Sequence, residues 1–467
     1  MNISKLKAWE MREKLLDGEI SSEDIIKSHI EVIKEKEDYI NAFINFDEEY
    51  ALEEARKIDE KIKNGEKLGV LAGLPIAIKD NISTIDFKTT AGSKMLEDYQ
   101  PSFDAHVVER IKENDGIIIG KANMDEFSMG RTTETSFFGP TKNPLDLSRI
   151  PGGSSGGSGA SVASGEAALS LGSDTGGSIR KPASHCGVVG IKPTYGLVSR
   201  FGLMALSNTL DAVGVFGRDV KDAALMLEAI YGEDESDTTS VKVDLDFNTE
   251  KDIEGLKIGI PKEWLELNMD SRIREDFEAA VEKFKEAGAI VEEVSIPNIV
   301  HTKEIYKIIV SSDASSNMSR YDGIQYGYRA EDYNTLDELY MHSRGEGFGE
   351  EVKRRILFGT YLLVGDRGDK YYKKAQKVRT KLIDDFKDAF SRVDLLIAPS
   401  DSNLPRKFDE DADKYKDYNE SVNLAGLPSM SIPMGGKDLK TGLQIIGDRF
   451  SEETIINAGK VFEGMVK

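Results

Sequence analysis

The most unusual part of the sequence is PGGSSGGSG at residues 151–159, which is followed by GSDTGGS at residues 172–178. Glycines at this density let the backbone approach a ligand closely and adopt positive φ angles that other residues avoid. Two kinds of site are built in this way: a cradle for phosphate groups, or a nucleophilic serine surrounded by backbone N–H groups. Each kind requires further residues elsewhere in the chain.

A phosphate cradle matches the sequence poorly. A P-loop needs glycine, four further residues and then Gly-Lys-Ser/Thr, whereas the segment from Gly116 to Lys121 is one residue too short and continues with Ala122. A dinucleotide-binding loop directly follows a strand, but residues 152–159 come after the turn-like segment NPLD at residues 143–146. Nucleotide binding is therefore the weaker alternative.

A nucleophilic serine agrees better with residues 172–178. Consecutive N–H groups from Thr175 to Ser178 could converge on one oxygen, because Gly176 and Gly177 carry no side chain that would obstruct it. A donor of this kind contributes about 3 kcal/mol to a negatively charged transition state. A serine nucleophile also needs a base that takes its proton.

Two residues are candidates for that base. His185 lies close to Ser178 in the sequence and would give a Ser–His pair, although a packed, hydrogen-bonded histidine is the commoner situation. Lys79 ends an apolar run, and burial would lower its pKa towards the range that suits a base. A lysine at a strand end is more often solvated, so the residues alone leave this choice open.

Short apolar runs alternate with amphipathic segments along most of the chain. Apolar strands alternating with helices predict an α/β protein with a sheet that helices cover on both faces. The predicted strands lie at residues 74–79, 116–120, 167–172, 187–191, 257–260, 394–398 and 442–446, and the predicted helices near residues 104–114, 218–231, 272–288, 351–391 and 451–465.

The beginning of the chain differs from the rest. SSED at residues 21–24 is typical of a capping box before a helix, and charged helices continue to the turn at residues 64–65. We therefore predict a helical segment over residues 1–64 that packs on a catalytic domain of residues 65–467. Residues 232–254 and 405–417 are predicted to be surface excursions of that domain.

Composition narrows the classes of function. The 467 residues include 61 Lys+Arg and 83 Asp+Glu, a net charge of -22. Because phosphate contacts need clustered cations, this charge argues against direct binding of nucleic acid by this chain. Cys186 is the one cysteine, so intramolecular disulfides and thiolate metal clusters are excluded. No signal core or membrane-length apolar run is found, and we expect a cytoplasmic protein without a membrane partner.

Three segments resemble the amidase-signature family: residues 152–178, their continuation Ile179–Ala183, and GLPIAIKD at residues 73–80. The resemblance is long and rich in glycine, and it is therefore more specific than a five-residue motif. It implies the amidase-signature fold, an α/β architecture with a large mixed sheet. It also implies a catalytic set of serine, cis-serine and lysine, which needs no histidine.

The same resemblance implies roles for individual residues. In catalysis these are Ser178 as the nucleophile, Ser154 as the bridging serine and Lys79 as the base. The implied oxyanion hole consists of Thr175, Gly176 and Gly177. The implied substrate-binding residues are Gly130, Tyr306 for a hydrogen bond, Arg355 for a substrate carboxylate and Asp417 for a substrate ammonium group. Arg354 is adjacent to Arg355 and is an alternative to it.

Further segments resemble one branch of the family, the glutamine-hydrolysing A subunits of glutamyl-tRNA(Gln) amidotransferases: Asn123–Phe127, Phe138–Thr141, Lys192–Gly196, Ala314–Asn317, Tyr326–Tyr328 and Val422–Pro428. This resemblance implies release of ammonia from glutamine through a glutamyl ester, for the conversion of Glu-tRNA(Gln) to Gln-tRNA(Gln). It implies a heterotrimer with B and C subunits, in which B contacts the tRNA and uses ATP and Mg, and no cofactor in this chain. A stand-alone amidase acting on another small amide is the alternative, followed by a non-catalytic scaffold.

Two departures from the family pattern concern the substrate pocket. Arg131 stands where a small serine is usual, and Ser400–Asn403 replaces a run rich in proline and threonine. The segment that follows is shorter and more charged than usual, which affects the assignment of Asp417. These departures bear on selectivity for glutamine more than on amide chemistry.

Overall fold

The computed structural model describes residues 2–247, 251–410 and 414–466. Within these residues one mixed sheet contains eleven strands in the order β1-β3-β2-β4-β6-β5-β10-β11-β9-β7-β8. The strands are β1 (Phe43–Phe46), β2 (Pro75–Lys79), β3 (Ile117–Ala122), β4 (Leu169–Asp174), β5 (Val189–Lys192), β6 (Ala212–Gly217), β7 (Lys257–Pro261), β8 (Ile290–Val294), β9 (Leu395–Pro399), β10 (Ser429–Gly435) and β11 (Thr441–Gly447).

The α-helices precede, connect and follow the strands. They are α1 (Ala8–Leu16), α2 (Ser22–Ile40), α3 (Glu48–Lys63), α4 (His106–Glu113), α5 (Gly156–Ser164), α6 (Arg180–Cys186), α7 (Val220–Ile230), α8 (Lys262–Leu265), α9 (Ser271–Glu286), α10 (Thr302–Asn317), α11 (Leu336–Gly347), α12 (Glu350–Leu363), α13 (Lys373–Phe390), α14 (Asn419–Ala425) and α15 (Glu452–Val466).

The α/β prediction is confirmed. All the strands predicted from apolar runs are present close to their predicted bounds, and β2, β3 and β4 are buried along their whole length. Strand β2 pairs in parallel with both β3 and β4, whereas β4 and β6 are antiparallel. Two neighbouring strand ends therefore carry the lysine at position 79 and the loop that begins at Thr175.

The N-terminal segment is helical, with one exception. Ser21 caps α2 through a hydrogen bond from the Asp24 N–H to its hydroxyl, as the capping box predicts. Between α2 and α3 the chain forms β1, which was not predicted and pairs antiparallel with β3. The segment therefore adds a strand to the sheet, and the proposed boundary at residue 64 stays a prediction.

Two predicted segments differ in detail from the structure. The helix predicted over residues 351–391 is divided into α12 and α13, with a π-helical turn at Gly368–Tyr372 between them. Residues 232–247 and 405–410 contain no helix or strand, although Phe247 and Pro405 are buried. Residues 248–250 and 411–413 of the two predicted excursions lie outside the described residues.

Helix α5 begins inside the glycine-rich stretch, where helix propensity alone would not place one. A side chain at Gly157 would collide with the Ala42 carbonyl oxygen and with the Asn123 backbone. Glycine is therefore required because this helix packs directly against neighbouring backbone. In the described part of the chain, no helix is long and apolar enough to cross a membrane.

Candidate active site

Lys79 lies at the end of β2 and is fully buried. Its ammonium nitrogen Nζ donates to Ser154 Oγ at 2.8 Å, to Ser173 Oγ at 2.9 Å and to the Ser173 carbonyl at 3.3 Å. Burial lowers the pKa of Lys79 to about 7, although the carboxylates of Asp125 and Asp174 act in the opposite direction. A substantial fraction of this lysine is therefore neutral near pH 7.

Ser154 contacts Lys79, and its neighbour in the chain, Ser155, contacts Ser178. The Gly153–Ser154 peptide bond is cis, which is the arrangement that the family resemblance implies. Ser154 is fully buried, whereas Ser178 keeps 7% of its surface exposed. The N–H of Ser155 donates to the Ser178 carbonyl at 3.2 Å, and this contact holds the two serine segments side by side.

Ser173, next to the last residue of β4, was not identified as a site residue from the sequence. Its hydroxyl accepts from Lys79 and also from Asn81 Nδ2 at 3.0 Å. The Asn81 amide further donates to Ser128 Oγ at 3.1 Å. Ser173 is therefore a second serine partner of the lysine besides Ser154, and Asn81 in turn donates to Ser173.

The predicted oxyanion donors are not equivalent. The N–H of Gly177 donates to Asp174 Oδ1 at 2.7 Å, so it is already engaged in this structure. The N–H groups of Thr175, Gly176 and Ser178 have no acceptor among the described residues, because the bond from Thr175 to Asp211 uses the Thr175 hydroxyl and not its N–H. The arrangement leaves Thr175, Gly176 and Ser178 as the donors whose N–H groups are available.

A buried ion pair holds the loop that carries these donors. Arg180 Nη2 and Asp174 Oδ1 are 3.1 Å apart, and both side chains are fully buried. Burial is the largest single influence on Asp174 and opposes its ionisation, but Arg180, Lys192 and the Ile179 N–H together lower the pKa of that carboxyl below its usual range. Asn423 contacts both partners, because it accepts from Arg180 and donates to Asp174. The network fixes residues 174–180 from two sides.

A cavity of about 400 Å³ lies next to this loop. Tyr306 on α10 lines it, and a side chain at Gly176 would come within 2.7 Å of the Tyr306 hydroxyl oxygen. Arg354 and Arg355 on α12 also line it, and Arg355 is the more enclosed, with 16% of its side chain exposed against 59% for Arg354. Tyr306 and Arg355 are therefore brought together with the glycine-rich loop.

The other two predicted substrate residues lie less directly at the cavity. Gly130 packs so closely against the Asp125 carboxylate that a side chain at position 130 would collide with it. Asp417 is buried and accepts from Arg131 Nη2 at 2.5 Å. Arg131 Nη1 also donates to Glu420 Oε1 at 3.1 Å, and Arg131 and Glu420 both line the cavity.

His185 is buried beside Asp401 and not beside Ser178, so it does not form a Ser–His pair. It lies on α6 with 1% exposure, and its Nε2 is 3.4 Å from Asp401 Oδ2. Lys181 contacts the same carboxylate oxygen at 2.9 Å. Across the described residues, no group of three or more His, Cys, Asp or Glu is arranged to hold a metal ion.

The comparisons with known proteins agree with this geometry. A family model described as Amidase matches residues 24–456. The chain is 49% identical to the A subunit of glutamyl-tRNA(Gln) amidotransferase from Caldanaerobacter subterraneus subsp. tengcongensis, over 100% of this chain and 98% of the relative. It is 49% identical to the A subunit of the same enzyme from Streptococcus pneumoniae (strain 70585), over 97% of this chain and 95% of the relative.

Solved structures give the same family at lower identity. The crystal structure of the A subunit of Thermotoga maritima glutamyl-tRNA(Gln) amidotransferase is similar with a TM-score of 0.82 and 38% identity, covering 99% of this chain and 95% of that one. The native peptide amidase of Stenotrophomonas maltophilia is similar with a TM-score of 0.84 and 27% identity, covering 99% and 97%. The chain belongs to the amidase family, as its glycine-rich motifs indicated.

Proposed function

We propose that this chain is the glutaminase subunit of a glutamyl-tRNA(Gln) amidotransferase, and that it hydrolyses the side-chain amide of glutamine with Ser178, Ser154 and Lys79. The contact between Lys79 Nζ and Ser154 Oγ carries the proposal, because it joins a buried lysine with a pKa of about 7 to a serine hydroxyl. The relatives that are A subunits of glutamyl-tRNA(Gln) amidotransferases support the choice of substrate and reaction.

The proposed reaction begins with attack of Ser178 Oγ on the amide carbon. Its proton passes to Ser154 Oγ while the proton of Ser154 passes to neutral Lys79 Nζ. The tetrahedral oxyanion is held by backbone N–H groups, with Thr175, Gly176 and Ser178 as the donors that have no acceptor among the described residues. The proton then returns through Ser154 to the departing nitrogen, and ammonia leaves.

The remaining ester is hydrolysed along the same path. Water attacks the glutamyl ester carbon, and its proton travels through Ser154 to Lys79. Collapse of the second tetrahedral species breaks the ester bond and returns that proton to Ser178, which releases glutamate. Neither half of the reaction requires a histidine, which is consistent with the packed position of His185 beside Asp401.

The pocket residues of this proposal are Tyr306, Arg355, Gly130 and Asp417. Tyr306 and Arg355 line the cavity beside Gly176, where a carboxylate of the substrate would meet the Arg355 guanidinium. Partner subunits complete the proposed reaction: a B subunit that binds the tRNA and uses ATP and Mg, and a small C subunit. The net charge of -22 suits a chain that leaves tRNA contacts to its partner. The proposed setting is the cytoplasm.

The test measures ammonia release from glutamine by the chain assembled with its B and C partners, beside a Ser178→Ala variant. We expect the variant to lose at least about 10³-fold in kcat. Ser391→Ala is the matched control, because that serine is exposed at the end of α13 and should leave the rate unchanged. Equal ammonia release by Ser178→Ala and the wild type would overturn the proposed nucleophile.

A stand-alone amidase is the second candidate, and one observation favours it. Asp417, the residue implied for the ammonium group of glutamine, is paired with Arg131. Hydrolysis of asparagine or simple amides, with no ammonia from glutamine in the intact assembly, would keep the serine chemistry and select this candidate.

A further inference from the structure

Arg131 forms a three-charge cluster with two acidic residues at one wall of the cavity. Its Nη2 is 2.5 Å from Asp417 Oδ2 and its Nη1 is 3.1 Å from Glu420 Oε1. The acidic side chains are almost completely enclosed, at 3% and 6% exposure, whereas 31% of the Arg131 side chain is exposed. The guanidinium therefore pairs with Asp417, which is not among the lining residues, and with Glu420, which lines the cavity beside it.

The remaining charged groups around the cavity are mostly cationic. Besides Arg131, the lining includes Lys303, Lys307, Arg354 and Arg355, and its acidic members are Glu304 and Glu420. Glu420 is one of the two acids that Arg131 already contacts. Glu351 pairs with both Arg354 and Arg355. These pairs leave Lys303 and Lys307 as the lining cations for an incoming molecule.

This distribution affects the two charged groups of an amino acid differently. A carboxylate finds several possible cationic partners, and charge-assisted hydrogen bonds of this kind are strong. An ammonium group needs an acidic partner. Glu304 is exposed, so for an enclosed acidic partner the ammonium group would have to take Asp417 or Glu420 away from Arg131. Separating an enclosed ion pair leaves a charge without its partner, which is strongly unfavourable.

We propose that Arg131 is a specificity-determining residue, which makes this site recognise its amide substrate through a carboxylate and withholds Asp417 and Glu420 from a substrate ammonium group. The substrate class is then a short-chain amide that carries a carboxylate, with or without an amino group beside it. This inference rests on the proposed glutaminase function, because it concerns the same cavity and the same reacting serine.

The first experiment needs no variant. Ammonia release by the assembled wild-type enzyme is measured with glutamine and with 4-carbamoylbutanoate, which is glutamine without its amino group. We expect kcat/KM for 4-carbamoylbutanoate to equal or exceed that for glutamine. A preference for glutamine of more than about tenfold, the effect of one charge-assisted hydrogen bond, would overturn the inference.

The second experiment changes the cation. Arg131→Ser frees the two carboxylates, so we expect the ratio of kcat/KM for glutamine to that for 4-carbamoylbutanoate to rise by about tenfold or more, mainly through KM for glutamine. Arg131→Lys keeps a positive charge and should keep the wild-type ratio. Arg56→Ser, an exposed arginine of α3 that pairs with Glu23, is the surface control.

The outcomes separate this inference from the proposed function. Absence of Ser178-dependent ammonia release from any amide would defeat the proposed function itself. Ser178-dependent release with an unchanged or lower ratio in Arg131→Ser would defeat the inference alone. If Arg131→Ser does not fold, as a melting curve would reveal, the wild-type comparison of the two substrates decides.

Discussion

Two buried lysines lie on neighbouring parallel strands of the sheet, Lys79 at the end of β2 and Lys121 near the end of β3. Both are fully buried, and burial lowers the pKa of Lys79 to about 7 and that of Lys121 to about 8. By burial and pKa alone, either could serve as a base at neutral pH.

Their hydrogen-bond partners differ. Lys121 donates to the Ile82 carbonyl at 2.5 Å and to two threonine hydroxyls, and its Nζ is 3.8 Å from Asp80 Oδ1. Lys79 donates to two serines, one of which belongs to the loop beside Ser178. A lowered pKa is therefore common to both buried lysines and does not identify the base. The hydrogen bonds that connect a lysine nitrogen to the segment of the nucleophile do identify it.

The largest expected effect is the difference in catalytic rate between Lys79→Met and Lys121→Met. Lys79→Met removes the proposed base, and we expect kcat for ammonia release to fall by about 10² to 10⁴-fold. Lys121→Met should retain a rate close to that of the wild type per folded molecule, because its partners lie outside the proposed path. Initial rates are measured on samples whose folded fraction is known from circular dichroism.

Similar losses of rate in both variants would remove the distinction between the two lysines. A full rate in Lys79→Met would show that another group accepts the serine proton, and the proposed mechanism would then be wrong.

The free energy of unfolding should fall more in Lys121→Met than in Lys79→Met, which is the reverse of the expected order of rate losses. Lys121→Met leaves the Asp80 carboxylate enclosed without its cation, and breaking such a pair costs about 3 kcal/mol or more. Lys79→Met leaves serine hydroxyls, of which Ser173 still accepts from Asn81, so we expect a smaller loss. Urea unfolding at constant pH measures both free energies of unfolding.

The double variant Asp80→Asn/Lys121→Met is the control for this explanation. Removing both charges should recover part of the stability that Lys121→Met loses. If it recovers none, packing around Lys121 is responsible and the ion pair is not.

The sequence predicted the strands that are continuous apolar runs, and these include β2 and β4, which carry Lys79 and lead to Ser178. It did not predict β6 or β10, because glycine, serine and proline interrupt their apolar patterns. Strand β8 lies at the edge of the sheet and is mostly exposed, so its sequence IVEEV lacks the signal of a buried strand. Tertiary pairing decides such segments, and local composition does not.

Some residues of the candidate site could likewise be predicted from the sequence, and others could not. Lys79, Ser154 and Ser178 followed from long motifs that resemble a family. Ser173 was missed because it is one serine among many in a glycine-rich stretch, and its partner Lys79 comes from another strand. The pairing of Arg131 with Glu420 joins residues 289 positions apart, and no local pattern predicts a contact at that separation.

The pH dependence of the rate tests the lysine comparison further. Neutral Lys79 is the proposed base, so lowering the pH through its pKa of about 7 protonates it and should reduce the rate by about tenfold per pH unit below that value. The rate should level off above the pKa. Lys121→Met should keep the same midpoint, although the pKa of Lys121 is also lowered. A rate independent of pH between about 5.5 and 9, with chemistry limiting as judged by single-turnover kinetics, would contradict a lysine base.

The smallest effect is expected for Ser173→Ala, which removes one acceptor of the lysine and leaves Ser154 in place. Ser173 is a positioning residue, so kcat should fall by about tenfold while KM for glutamine stays nearly constant. Loss of an acceptor also disfavours the charged ammonium form, so the midpoint of the pH profile should move below that of the wild type. Ser170→Ala is the matched control, because Ser170 is a buried serine on the same strand whose hydroxyl hydrogen-bonds to the Leu171 carbonyl and not to Lys79. A midpoint that stays at the wild-type value in Ser173→Ala, with a loss of rate no greater than in Ser170→Ala, would mean that Ser154 alone orients the lysine.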